Sequence, residues 1–137
     1  MITKLKIGDF KAHHNTELPF APLTLLTGVN SSGKTSVLQA LLLLRQSFSK
    51  NRLHKGLDLN APLCDIGKGK DALYQASEKE IISFIIEMKE KSLSFSFNAR
   101  DKYESTFIPC YEPIDITDKW GEIALFNRNF QYLSSSR

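Results

Sequence analysis

A chain of 137 residues, 42% of them hydrophobic, has the length of one domain and enough apolar content to bury a core. Its net charge of +3 is small, no run approaches the roughly 18 apolar residues of a membrane span, and residues 1–5 alternate charged and apolar types where a signal peptide would build an apolar stretch. Cys64 and Cys110 stand outside any Cys-x-x-Cys or Cys/His cluster, which argues against a disulfide framework and a zinc site and leaves a soluble, cytoplasmic protein as the expectation.

The charge is uneven. Residues 1–70 hold ten Lys/Arg against four Asp/Glu, and residues 71–137 hold eight against eleven. Leu5 and Ile7 alternate with Lys4 and Lys6 and lead into Gly8-Asp9-Phe10, which predicts a first strand and a turn. Residues 16–20 read as a second strand. Leu23-Thr24-Leu25-Leu26-Thr27 is short, apolar and β-prone, the pattern of a strand buried on both faces. It runs directly into a glycine-containing loop.

From Lys34 the pattern turns helical: Val37, Leu38, Ala40, Leu41, Leu42, Leu43 and Leu44 cover nearly the whole circumference, as in a helix buried among other elements. Residues 47–56 are polar and basic and read as a connection, followed by a loop over 60–70 punctuated by Pro62, Gly67 and Gly69. The apolar period then drops to two. Ile82, Phe84, Ile86 and Met88 share one face of a strand, and Leu93, Phe95 and Phe97 alternate with Ser92, Ser94, Ser96 and Asn98 on the next, with a hairpin turn at Glu90 and Lys91. Residues 103–110 and 123–133 are weaker strand candidates. The sequence therefore predicts an α/β start, with strands, glycine loop and core helix over 1–56, a connecting loop over 57–78, and an antiparallel β arm over 79–137.

Gly28-Val29-Asn30-Ser31-Ser32-Gly33-Lys34-Thr35 satisfies G-x-x-x-x-G-K-[ST] at every fixed position. Glycines let successive backbone N–H groups curl inward into a concave anion nest, and the helix that follows adds the positive end of its dipole. Gly28, Asn30, Ser31, Ser32, Gly33, Lys34, Thr35 and Ser36 form the expected nucleotide-binding set. Lys34 reaches the β- and γ-phosphates, and the Thr35 hydroxyl ligates Mg²⁺ beside phosphate and water. ATP is favoured because no Asn/Thr-Lys-x-Asp base-reading motif of a GTPase follows. Hydrolysis also needs an Asp at the end of a second apolar strand and a group that orients water. Phe84-Ile85-Ile86-Glu87 is interrupted by Ser83, and Ile123-Ala124-Leu125-Phe126 is followed by Asn127, so no catalytic residue is assigned.

Leu5-Lys6-Ile7-Gly8-Asp9-Phe10-Lys11, the strand Pro22-Leu23-Thr24-Leu25-Leu26-Thr27 and the loop 28–35 with its Asn30 resemble the amino-terminal lobe of ABC-type ATPases of the SMC, RecF and OLD-like group, most closely the bacterial AAA-family proteins placed with the OLD-like ATPases. The segments 39–47 and 65–71 and the closing Tyr132-Leu133-Ser134 extend the likeness over nearly the whole chain. The resemblance implies a first lobe that binds ATP and Mg²⁺. A separate second lobe then supplies the signature serine, the magnesium aspartate, the catalytic glutamate and a switch histidine, and two heads join around two nucleotides. This chain lacks those second-lobe features: it is incomplete relative to a full ATPase head, with little hydrolysis alone. Leu133-Ser134-Ser135 echoes the signature without its glycines. The resemblance also implies that Gln131, where the glutamine loop would fall, contacts the metal, that Lys11 and His13 lie near nucleotide, and that DNA or a phage-defence nuclease is a partner. Lys50, Arg52, His54 and Lys55 form a basic cluster with no interleaved aromatic residue, which points to solvation rather than to DNA. His14 has no assigned role. A standalone nucleotide-binding regulatory module, or a gene remnant, is the alternative, and a small kinase a third reading.

Overall fold

The computed structural model describes residues 2–19, 32–60, 63–88 and 91–112. The predicted strand at 23–27 and the strand candidate at 123–133 lie outside those residues. Strands β1 (Ile2–Phe10), β2 (His13–Pro19), β4 (Ile81–Met88) and β5 (Ser92–Asn98) form a four-stranded antiparallel sheet in the order β2-β1-β4-β5. The expected start and the expected arm thus share one sheet, because β1 pairs with β4, placing Ile7 opposite Phe84.

The two-residue period accounts for its faces. Leu5, Ile7, Ile82, Phe84, Ile86, Phe95 and Phe97 are all essentially buried. The other face carries the pairs Lys4–Glu87 at 3.9 Å and Lys6–Glu17 at 3.4 Å. Glu87 is therefore an outer-face residue near a strand end, as its place in the alternation predicted. Burial of each large apolar side chain contributes roughly 1.5–3 kcal/mol, so this inner face dominates the stability of the sheet. The Met88 N–H donates to Lys91 O at 2.8 Å and closes the β4–β5 hairpin where the turn was expected.

β1 outruns its predicted end. Phe10 was placed in a turn, yet its ring is fully buried and meets Phe84 edge-on at 5.2 Å. The chain turns instead after it, with Lys11 at φ 52°, and Asp9 is held at φ 51°. The turn is fastened by Lys11 N–H to Ala72 O at 2.7 Å and Tyr74 N–H to Asp9 O at 3.0 Å. β2 accordingly begins at His13 rather than at residue 16.

Helix α1 (Ser32–Ser49) lies against the inner face: Val37, Ala40, Leu43 and Leu44 join the core cluster of the sheet. No residue from Ser36 to Phe48 is fully exposed, as the all-round apolar pattern required. The helix continues through Gln46 and Ser47 to Ser49, beyond the point at which polarity had suggested a connection. Two short elements were not anticipated: β3 (Gly56–Asp58), which pairs with β6 (Phe107–Pro109), and the single-turn helix α2 (Gly69–Ala72). β6 occupies only the end of the strand expected over 103–110. Leu57 and Ile108 face each other across this ribbon, both fully buried in the same core.

Candidate functional site

The phosphate-loop motif meets the structure at α1. Ser32, Gly33, Lys34 and Thr35 open the helix, and Ser36 follows, buried. Gly28, Asn30 and Ser31 lie outside the described residues, as does Gln131. A helix start leaves backbone N–H groups without intrahelical partners and carries the positive end of the dipole. The first turn of α1 contains no acidic residue to neutralise it.

The far end of the same helix is a polar clasp that sequence reasoning missed. Gln46 is fully buried. Its amide nitrogen donates to Asp58 O at 2.8 Å and Cys64 O at 3.0 Å, and its oxygen accepts from Leu63 N–H at 3.1 Å and Cys64 N–H at 2.9 Å. The Ser47 hydroxyl donates to Leu43 O and accepts from Asp58 N–H, both at 2.7 Å. Two adjacent polar residues at the end of an apolar helical run are the available signal, and the connection expected from residue 47 onward passed over it.

Asp58 is 3% exposed and completes the clasp. One carboxylate oxygen accepts from Asn60 N–H at 3.0 Å, while the other takes Lys50 Nζ at 3.1 Å and Arg52 Nη1 at 3.0 Å. The Arg52 guanidinium also lies 4.0 Å from the Phe107 ring centroid. Two members of the basic cluster at 50–55 therefore neutralise a buried carboxylate, a role distinct from solvation and from phosphate contact.

A second glycine- and lysine-rich segment, Gly67-Lys68-Gly69-Lys70, has the composition of an anion nest and none of its free donors. Gly67 N–H is taken by Asp65 Oδ1 at 3.1 Å, Lys68 N–H by Asp71 Oδ2 at 2.9 Å, Gly69 N–H by Ser105 O at 2.8 Å and Lys70 N–H by Tyr103 O at 2.9 Å. Both lysine heads bind Glu104, at 2.8 and 3.0 Å. Hydrogen bonding to Lys68 and then Lys70 holds the Glu104 carboxyl below its ordinary pKa.

Of the residues beside the first strand, Lys11 is half-buried in the β1–β2 turn. His13 is buried, sharing a hydrogen bond between its Nδ1 and Thr16 Oγ1 at 2.9 Å. His14, unassigned from sequence, pairs with Asp9 at 2.6 Å and stacks on Tyr74 with centroids 5.2 Å apart. Ser77 donates to the other Asp9 oxygen at 2.6 Å. Asp9, His14 and Tyr74 edge an open groove of about 790 Å³ on the outer face of the sheet, also lined by Gly8, Ser83, Ser94 and Ser96.

Cys64 and Cys110 are free, and burial pushes both thiols up, away from the thiolate a nucleophile needs. Among the described residues no three His, Cys, Asp or Glu side chains gather as a metal site, and no helix is long and apolar enough to cross a membrane. No curated protein matches the chain. The family model of the AAA ATPase domain matches residues 1–136, essentially the entire sequence. Together with the mixed α/β fold and its antiparallel sheet, that match identifies the chain as a member of the AAA ATPase domain family.

Proposed function

We propose that residues 28–35 hold the triphosphate of ATP with Mg²⁺, in the amino-terminal part of an ATPase of the OLD-like or SMC-like kind. The observation that carries this reading is the coincidence of the motif with the start of α1: its last four residues open an 18-residue helix, no residue of which from Ser36 to Phe48 is fully exposed, and whose first turn has no acid of its own. A phosphate placed there receives backbone N–H groups and the helix dipole with no carboxylate in that turn to oppose it. In this reading Gly28, Asn30, Ser31, Ser32, Gly33 and Ser36 belong to the nucleotide side, Lys34 pairs with the β- and γ-phosphates, and Thr35 ligates the metal, with Gln131 as a further metal contact. Membership of the AAA ATPase domain family supports the choice of ATP.

The same reading gives the chain little turnover by itself. No stretch of the 137 residues supplies an apolar strand ending in the magnesium aspartate and catalytic glutamate, so cleavage draws on a second lobe or a second head. In the cluster at 50–55, Lys50 and Arg52 are engaged by Asp58, so this reading assigns them to holding that carboxylate and not to DNA.

Calorimetric titration with ATP, with and without Mg²⁺, tests the binding, and a phosphate-release assay tests the turnover. The expected result is saturable, Mg²⁺-dependent ATP binding with negligible phosphate release. Failure to bind would remove the site, and sustained release by the chain alone would overturn the division of labour.

A further inference from the structure

We infer that Gln46 is a positioning residue for the phosphate loop, an inference that rests on the nucleotide reading above. Ser32–Ser49 is one continuous helix, so its two ends move as a unit on the scale of a turn. At one end stand the residues assigned to the nucleotide. At the other, a single side chain fixes the helix against the segment 58–64.

Apolar packing alone fixes the depth of a helix better than its axial position or rotation, because hydrophobic contact is non-directional. Directional bonds supply what packing leaves open. Gln46 uses its whole hydrogen-bonding capacity on backbone groups of Asp58, Leu63 and Cys64, in the fully buried environment where such bonds are most costly to break. A side-chain amide offers two donors and a carbonyl acceptor at once. A glutamate would face Asp58 O and Cys64 O with no donor, and a methionine of similar length would leave all four bonds unmade. Ser47 adds a bond from Asp58 N–H on the adjoining position, so the helix is held at two neighbouring points. This clasp sets the axial seat of α1 and with it the placing of the nest at its first turn, where small displacements separate backbone donors from phosphate oxygens.

The test compares Gln46→Met with Ile86→Ala, a core deletion in β4, by MgATP titration well below both melting temperatures. A merely structural role predicts lowered melting temperatures and unchanged affinity for both. Positioning predicts about tenfold weaker MgATP binding for Gln46→Met, the loss of one or two buried hydrogen bonds' worth of organisation, and none for Ile86→Ala. Wild-type affinity in a folded Gln46→Met protein overturns the inference.

Should Gln46→Met not fold, amide exchange in the wild type decides the matter. At an ATP concentration about 100 times the Kd, with Mg²⁺, complete linkage slows exchange at Leu63 and Cys64 by about 100-fold, and at least about tenfold slowing is expected. Unchanged exchange at both amides in protein that binds MgATP contradicts the inference. A wild-type chain that binds no MgATP at all shows instead that the nucleotide reading itself has failed, and the positioning role falls with it.

Discussion

Two segments of this molecule share glycine and lysine at the start of a helix and differ in the acids beside them. Residues 28–35 hold two glycines and one lysine, and residues 67–71 two of each. In the second, the protein supplies its own anions: Asp71 caps the Lys68 amide, Asp65 takes the Gly67 amide, and Glu104 binds both lysine heads. In the first, α1 opens without an acid in its first turn. Composition marks where an anion is favoured, while the chain's own acceptors, here the carboxylates of Asp65, Asp71 and Glu104 and the carbonyls of Tyr103 and Ser105, can occupy the donors first. An account of nucleotide binding resting on glycines and lysines alone could not separate the two.

The comparison can be attacked from the second segment. The largest effect should come from Gly69→Ala, since a Cβ there would stand 2.1 Å from the Lys102 carbonyl oxygen, a backbone atom with little room to yield. Overpacking of this kind costs about 1–3 kcal/mol, measurable as a fall in the denaturant midpoint. Gly67→Ala should cost about 1–2 kcal/mol, because residue 67 sits at φ +98° and the new methyl would press on the Asp71 carboxylate that caps the turn. Asp71→Ala should cost about 1 kcal/mol by freeing the Lys68 amide, and the freed segment should still bind no ATP. Acquisition of ATP binding at 67–70 by that variant would break the comparison, showing that one carboxylate was all that separated the two loops.

The smallest effect is electrostatic. Glu104 has a folded-state pKa below its ordinary value, so its contribution to stability is present above the unfolded carboxylate pKa and is lost as pH falls through the lowered value. Its side chain is exposed, so salt should screen the pairs with Lys68 and Lys70. Carboxyl NMR titration should show the Glu104 resonance moving at lower pH than an unpaired glutamate, with the difference shrinking on substitution of both lysines. An unshifted titration would show that the lysine heads do not hold the carboxylate in solution.

Much of the fold was legible because burial repeats with the period of the element. The alternation in Ile82, Phe84 and Ile86 and in Phe95 and Phe97 marked β4 and β5, and the apolar run over 37–44, interrupted only by Gln39, marked α1. What escaped is what carries no period. β3 and β6 are three residues each, too short to alternate, and are held by Leu57 and Ile108 from opposite ends of the sequence. Phe10 was assigned to a turn by its Gly-Asp neighbours, while its burial against Phe84 extended the strand. Ser47 was placed in a connection because of its polarity, and Gln46 and Asp58 drew no notice, although all three side chains are buried and bonded. The motif at 28–35 is a pattern of local residue types at fixed spacing and so could be picked out from sequence, whereas the clasp at the far end of α1 depends on contacts between positions 46 and 64.

The account's central claim is that the first glycine–lysine segment takes nucleotide and the second does not. MgATP titration of Lys34→Ala beside the double variant Lys68→Ala/Lys70→Ala tests it most directly. Loss of a charge-assisted contact predicts about 10–100-fold weaker binding for Lys34→Ala, with wild-type affinity retained when both Lys68 and Lys70 are removed. Unchanged affinity in Lys34→Ala, or lost affinity in the double variant, would contradict it.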